Sequence, residues 1–86
     1  MRRTVGFKSV PENFEKEEDG RKPNTIRKKD LKDERHMLLG SMMAVGYYGQ
    51  IEITNSETNE TFRRTIIDVT DWDGWLIISW RHRRSR

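Results

Sequence analysis

No cysteine occurs among the 86 residues, so disulfides and thiolate-held zinc or iron–sulfur centres are excluded. The two histidines, His36 and His82, are far apart and lack a nearby carboxylate at metal-site spacing. The expectation is therefore no metal and no cofactor. There is no apolar run of about eighteen residues, and no basic segment leading into an apolar one at the N-terminus. Neither a membrane span nor a signal peptide is indicated, and the cytoplasm is the expected compartment. A phosphate-binding P-loop, a dinucleotide-type glycine run, a Ser/His/Asp set, internal repeats and low-complexity linkers are absent as sequence signals. Proline is confined to Pro11 and Pro23.

What the chain has in quantity is charge: 36% of its residues are charged against 33% hydrophobic. The apolar residues gather after Met37, which predicts one folded domain over residues 1–86 with loose ends at 1–3 and 82–86. In this size range only about 60% of the unfolded surface is buried, so a core of about a dozen side chains is expected. The net charge is +3, and its arrangement is segregated. Glu12 to Asp19 holds five acids and one lysine, Arg21 to Arg35 seven cations against three acids, and the chain ends R-H-R-R-S-R. Such segregation gives one face a potential that attracts phosphates. The plainer alternative is a solvated surface and a frayed tail.

Thr4 to Val10 reads as a short strand with Val5 and Phe7 on one side. Ser9 to Gly20 has helix punctuation, with Pro11 at the start, Glu12 at the positive dipole end and Gly20 after the last turn. Its one large apolar residue, Phe14, must dock on the sheet, because so short a helix is marginal alone. Glu12, Glu15, Glu17 and Glu18 then read as surface. A strand is expected over Thr25 to Lys29, with Ile26 in the core and Thr25 and Arg27 on the other side. Asp30 to Val45 reads as helical, capped by Asp30 or Asp33 and broken at Gly40. Its apolar face would be Leu31, Met37, Leu38, Met42 and Ala44, with Met37, Met42 and Met43 as core fillers.

Gly49 to Thr54 alternates with Ile51 and Ile53 inward, and Asn55 to Glu60 should be a hairpin turn. The next strand runs from Thr61 to Thr70, with Ile67 and Val69 on one face and Arg64, Ile66 and Asp68 on the other. Asp73-Gly74 is a strong turn signal. Trp75 to Trp80 reads as a central strand buried on both faces. Of the aromatic residues, including Tyr47, Tyr48 and Phe62, most should be packing, Trp75 and Trp80 among them. Trp72, beside the turn, is equally suited to stack a base.

The stretch organising the chain is Gly20 to Arg27, G-R-K-P-N-T-I-R. A glycine in the left-handed region closes the helix, and Pro23 stops its continuation. Lys22, the Thr25 hydroxyl and Arg27 would then surround one concavity suited to an anionic or carbonyl-bearing group. Gly20, Lys22, Thr25 and Arg27, following Phe14 on a short acidic helix, resemble the G-x-K-x-x-[TE]-x-R signature of the ASCH domains. These are small β-barrels related to the PUA fold and associated with RNA. The resemblance covers roughly Val5 to Asp30 well and the C-terminal strands loosely. It implies an α+β fold, a small PUA-like mixed β-barrel of about five strands with one or two short helices. Many ASCH relatives carry a G-D-x-x-x-[LV] barrel strand where this chain has residues 30–49, a departure that leaves the middle open.

One branch of that superfamily, the small bacterial acetylcytidine amidohydrolases, carries a nearly identical G-R-K-x-x-T-I-R run. By resemblance Lys22 and Thr25 occupy two positions of its catalytic Lys/Thr/Glu set. The third member lies there in a helical insertion that this chain lacks.

Three functions follow as expectations. The first is an RNA- or nucleotide-binding module using Gly20, Arg21, Lys22, Thr25, Arg27, Arg63, Arg64, Trp72 and Arg81, which pairs phosphate-attracting charge with aromatic faces. The second is an amidohydrolase on an acylated nucleobase. In it Lys22, desolvated beside other cations, serves as base and Thr25 as nucleophile. Asp68, Asp71 or Asp73 is its candidate acid, Asp71 the one retained, and Arg27 the oxyanion donor. The third is a phage-type antagonist that sequesters a host protein or nucleotide signal. No membrane partner is expected in any of them.

Overall fold

The computed structural model describes residues 4–30, 32–46 and 48–81. The expected loose ends, with Leu31, Tyr47 and His82, lie outside them. Strand β1 (Thr4–Ser9) leads into helix α1 (Pro11–Asp19), strand β2 (Asn24–Lys28) and helix α2 (Glu34–Val45). Strands β3 (Gln50–Asn55), β4 (Thr61–Trp72) and β5 (Trp75–Trp80) complete the chain. The five strands form one mixed sheet in the order β1-β3-β4-β5-β2, parallel between β1 and β3 and antiparallel elsewhere. It curves into a half-barrel, so the protein is a small α+β fold. Among the described residues no helix is long and apolar enough to cross a membrane.

The inner face carries the core: Val5 and Phe7 from β1, Ile51 and Ile53 from β3, Phe62, Ile66 and Val69 from β4, and Leu76, Ile78 and Trp80 from β5. Phe14 docks α1 as expected, its ring 5.3 Å from Phe62, which in turn meets Trp80 edge-on at 6.1 Å. Leu39 and Met42 bring in α2. These thirteen buried apolar residues match the small core that the chain length allows.

Local signals explain the ends of the elements. Pro11 opens α1, and Gly20, at φ 92°, closes it in the left-handed region. Asp73 (φ 51°) and Gly74 (φ 83°) both take positive φ, the geometry of a two-residue turn whose twist matches its flanking strands. Asn55 organises the β3–β4 turn by accepting from the Glu57 and Thr58 N–H groups. The Asp33 side chain caps α2 by accepting from the Arg35 N–H.

Six expectations are corrected. Glu17, read as surface, is buried beside Phe14 on the inner side of α1. Helix α2 runs unbroken through Gly40, which lies on its solvent side. Its buried residues are His36, Leu39 and Met42, whereas Met37 is 64% exposed and Ala44 faces solvent. In β2 the faces are reversed, with Thr25 buried and Ile26 exposed. The register is the cause: Thr25 pairs with inward Ile78 and Arg27 with inward Leu76, and Trp80 N–H donating to Pro23 O fixes that alignment. In β4 an irregularity between Ile66 and Asp68 turns Ile66 and Val69 to the same side and Ile67 outward, as an extra residue in a strand does. Strand β5 is buried on one face only, and Trp75 is 41% exposed.

Candidate functional site

The half-barrel opens between its two edge strands, β1 and β2. Each brings an inward hydroxyl to the opening, Ser9 from β1 and Thr25 from β2, both buried. Arg27, half-buried two residues along β2, joins them: its Nε donates to Thr25 Oγ1 at 3.0 Å and its Nη2 to Ser9 Oγ at 3.1 Å. Ser9 passes its own proton on, donating to Glu17 Oε1 at 2.8 Å. The other Glu17 oxygen lies 3.4 Å from Lys22 Nζ, which also donates to the Asn24 carbonyl at 3.3 Å. A polar chain thus runs Lys22, Glu17, Ser9, Arg27, Thr25 from α1 across the gap.

Helix α1 places Glu17 there because it follows Phe14 by three residues, which puts the two on one helix face. The same turn that buries the Phe14 ring buries the carboxylate, which is 1% exposed. The Lys22 N–H bonds back to Lys16 O at 3.0 Å, closing the Gly20 turn so that Lys22 returns to the helix it has just left.

On the far side of Arg27, its guanidinium lies 4.8 Å from the Phe7 ring centroid, and that of Arg35 lies 4.5 Å from the same ring. Two cations on one aromatic ring are held by its negative face. Arg35 is further fixed by Asp33, through Nε at 3.0 Å and Nη2 at 2.6 Å, and by the Gly6 carbonyl at 3.0 Å. These hydrogen bonds, from the Arg35 side chain first and its backbone second, hold the Asp33 carboxyl well below the ordinary carboxylate range. The same pair raises Arg35. Burial pulls Arg27 below its usual value; the Glu17 charge opposes this, and Arg35 adds to it. His36, buried behind this wall, accepts the Asp30 N–H at Nδ1 (2.8 Å), so the neutral ring carries its proton on Nε2.

Three depressions, of about 240, 390 and 460 Å³, open along this line, and Arg27 lines all three. Together they form a groove walled by six cations, Lys8, Lys22, Arg27, Lys28, Lys29 and Arg35, against the carboxylates Glu17, Asp30 and Asp33. Glu17 and Asp33 are already paired with Lys22 and Arg35, and Lys29 is paired with Asp71. Lys8 and Lys28 have no ion-pair partner among the described residues.

No family model matches this chain, and no curated protein does. The likeness to the ASCH signature therefore rests on its own residues.

Of the residues expected at the site, Lys22, Thr25 and Arg27 meet at the smallest depression. Lys22 is beside a buried carboxylate there, not the cluster of cations expected for a base. Gly20 supplies the turn without lining the groove. Arg21 is exposed and turned to the α1 acids, 2.8 Å from Asp19 and 3.8 Å from Glu15. Arg63 lies on the outer face of β4, 3.7 Å from Glu52. Arg64 covers Phe62 at 4.7 Å and donates to the Glu18 carbonyl at 3.0 Å, near the negative end of α1. Asp71 and Trp72 are at the far end of β4, and exposed Arg81 follows β5.

Glu17, Ser9, Phe7, Lys8, Lys28 and Arg35 were not among the expected site residues. For Glu17 the signal was present in the spacing from Phe14. For the strand residues it lay in which strands form the edges, and for Arg35 in the packing of α2 against β1, both properties of topology. Among the described residues no group of three or more His, Cys, Asp or Glu side chains is placed to hold a metal ion.

Proposed function

We propose that this protein binds RNA or a nucleotide through the basic groove between β1 and β2, with Arg27 at its centre. The observation that carries this reading is Arg27 itself, held by two hydroxyls and an aromatic ring on the wall common to all three depressions. A guanidinium fixed in this way loses little freedom when it meets a phosphate. Lys8 and Lys28, with no ion-pair partner among the described residues, extend the positive wall to either side, as contacts to a sugar–phosphate chain require. Lys22 and Thr25 serve this site by holding it: Lys22 balances Glu17, and Thr25 orients Arg27.

Fluorescence anisotropy with a labelled single-stranded oligoribonucleotide and a labelled nucleoside triphosphate tests the reading. Lys8→Glu with Lys28→Glu removes binding of whichever probe is held while the folded-state spectrum is kept. Binding unchanged in that variant would place the ligand elsewhere.

A second reading has one specific observation behind it. Glu17 sets a buried carboxylate beside Lys22, which brings together the residue types of a Lys/Thr/Glu hydrolytic set although α1, not an insertion, supplies the acid. Against turnover stands Thr25, 2% exposed, with its oxygen engaged by Arg27. Loss of the acyl group from acetylcytidine, followed by mass spectrometry and abolished by Thr25→Ala, would favour the hydrolase.

A further inference from the structure

The outer face of β4, β5 and β2 sets its side chains in rows. Trp72 opposes Trp75 and Trp75 opposes Lys28, so these three form one row; Thr70, Ile77 and Ile26 form the next. Directly opposed residues share a face, and here it is the face away from the core. Trp72 is 64% exposed, Trp75 41% and Ile26 52%, while the alternating Val69, Leu76 and Ile78 are buried. Two indoles are thus left in solvent by a domain whose core has few large side chains to draw on. Neighbouring exposed apolar groups of this size mark a contact surface.

We propose that this face is a stacking platform for the unpaired bases of single-stranded nucleic acid. The proposal rests on the groove reading above and extends it. Lys28 links the two: it stands in register with Trp75 on the platform and also lines the largest depression of the groove. A strand whose phosphates follow the groove therefore reaches the indoles at its Lys28 end. Indole faces hold any base by stacking, which needs no sequence-specific hydrogen bond. A second copy of the chain is a poorer occupant, because the apolar area is narrow: Thr70 interrupts the second row, and the third is Asp68, Ser79 and Asn24. Of the nearby acids, Asp71 is paired with Lys29, while Asp68 and Asp73 lie on β4 and in the turn that follows it; Lys28 stands on β2 at the other end of the row, so that side is the one suited to phosphate.

The test uses the full chain, a short single-stranded oligoribonucleotide, and the same strand annealed to its complement. Trp80, only 2% exposed, is an internal reference for tryptophan fluorescence. Binding of the single strand should quench the emission of Trp72 and Trp75 and leave that of Trp80. Trp72→Ala with Trp75→Ala should weaken single-strand binding by roughly tenfold to a hundredfold, with little change for the duplex. Should the double variant fail to fold, Trp72→Ala alone serves, since it alters only the exposed end of β4.

If the tryptophan variants bind the single strand as the wild type does while Lys8→Glu loses binding, the platform is overturned and the groove stands. If neither form of RNA binds at all, both fall. A wild-type dimer in sedimentation that Trp72→Ala with Trp75→Ala makes monomeric would overturn the proposal in favour of a second copy.

Discussion

Glu17 and Lys22 face each other across the left-handed turn at Gly20, the Lys22 ammonium 3.4 Å from a carboxylate that is 1% exposed. Five residues apart on the chain, they tie the end of α1 to the start of β2. The pair also fixes Ser9, and through Ser9 the position of Arg27. Ionic pairing at this turn thereby reaches the groove.

Breaking that pair from either side leaves a charge without its partner. Lys22→Ala, which strands the buried Glu17 carboxylate, is expected to cost about 3 kcal/mol, and Glu17→Ala distinctly less, because the Lys22 side chain is 34% exposed and water can take over its ammonium. The double variant should lose distinctly less than the two single losses combined, since the residues are in contact. Urea unfolding of the four proteins measures this directly. Additive losses would mean that the two side chains do not interact.

Gly40 lies in the middle of α2 on its solvent side, and a Cβ built there meets no atom within 4 Å. Gly40→Ala should therefore stabilise the protein by about 0.5–1 kcal/mol, through helix propensity and a less free unfolded chain. For a domain of this length the melting temperature should rise by several degrees, about 4–8 °C per kcal/mol. A fall on thermal melting would show that α2 bends or is covered at that point.

Asp33 caps α2 and holds Arg35. Its carboxyl is depressed in the folded protein, so its ionised form contributes stability that is fully present above the unfolded value of about 3.9. That contribution is lost as the pH falls towards the lower folded value. Asn is also a good cap but carries no charge. The wild type's advantage over Asp33→Asn should be constant above about pH 5 and shrink below about pH 4. Thermal melts across that range check the sign, and an advantage that grew on acidification would contradict it.

Much of the fold was legible from local chemistry. Pro11 and Gly20 bracket α1, Asp73-Gly74 makes the hairpin, and Ile51 and Ile53 alternate as a strand with one face on the core should. The misread positions share a cause, which is that faces are decided by partners. Ile26 is more apolar than Thr25, yet pairing with Ile78 turns Thr25 inward, where Arg27 satisfies its oxygen. The irregularity at Ile66 and Asp68 shifts the alternation of β4 by one residue, and no local pattern announces it. Gly40 reads as a break by propensity, but buried Leu39 and Met42 on either side keep the helix whole.

The candidate site was legible in part for the same reason. Lys22, Thr25 and Arg27 sit together because the turn is local. Phe7 and Lys8 join them only because β1 and β2 become the facing edges of one sheet, and Arg35 because the start of α2 lies against β1, where it meets the Gly6 carbonyl and the Phe7 ring. Arg63, Arg64 and Trp72 were grouped with them by charge and aromatic character, which carry no information about which wall of a half-barrel they occupy.

The central claim is that the groove at Arg27 holds a phosphate chain, and the salt dependence of binding is its closest test. Affinity for a single-stranded oligoribonucleotide would be measured over a series of salt concentrations for the wild type and for Lys8→Ala with Lys28→Ala, which removes the two charges without reversing them. If both lysines meet phosphates, the plot of log affinity against log salt becomes shallower in the variant by about 1.4, or about 0.7 for each phosphate that no longer meets a lysine. Equal slopes for the two proteins would contradict the account and move the phosphate-binding surface away from the groove.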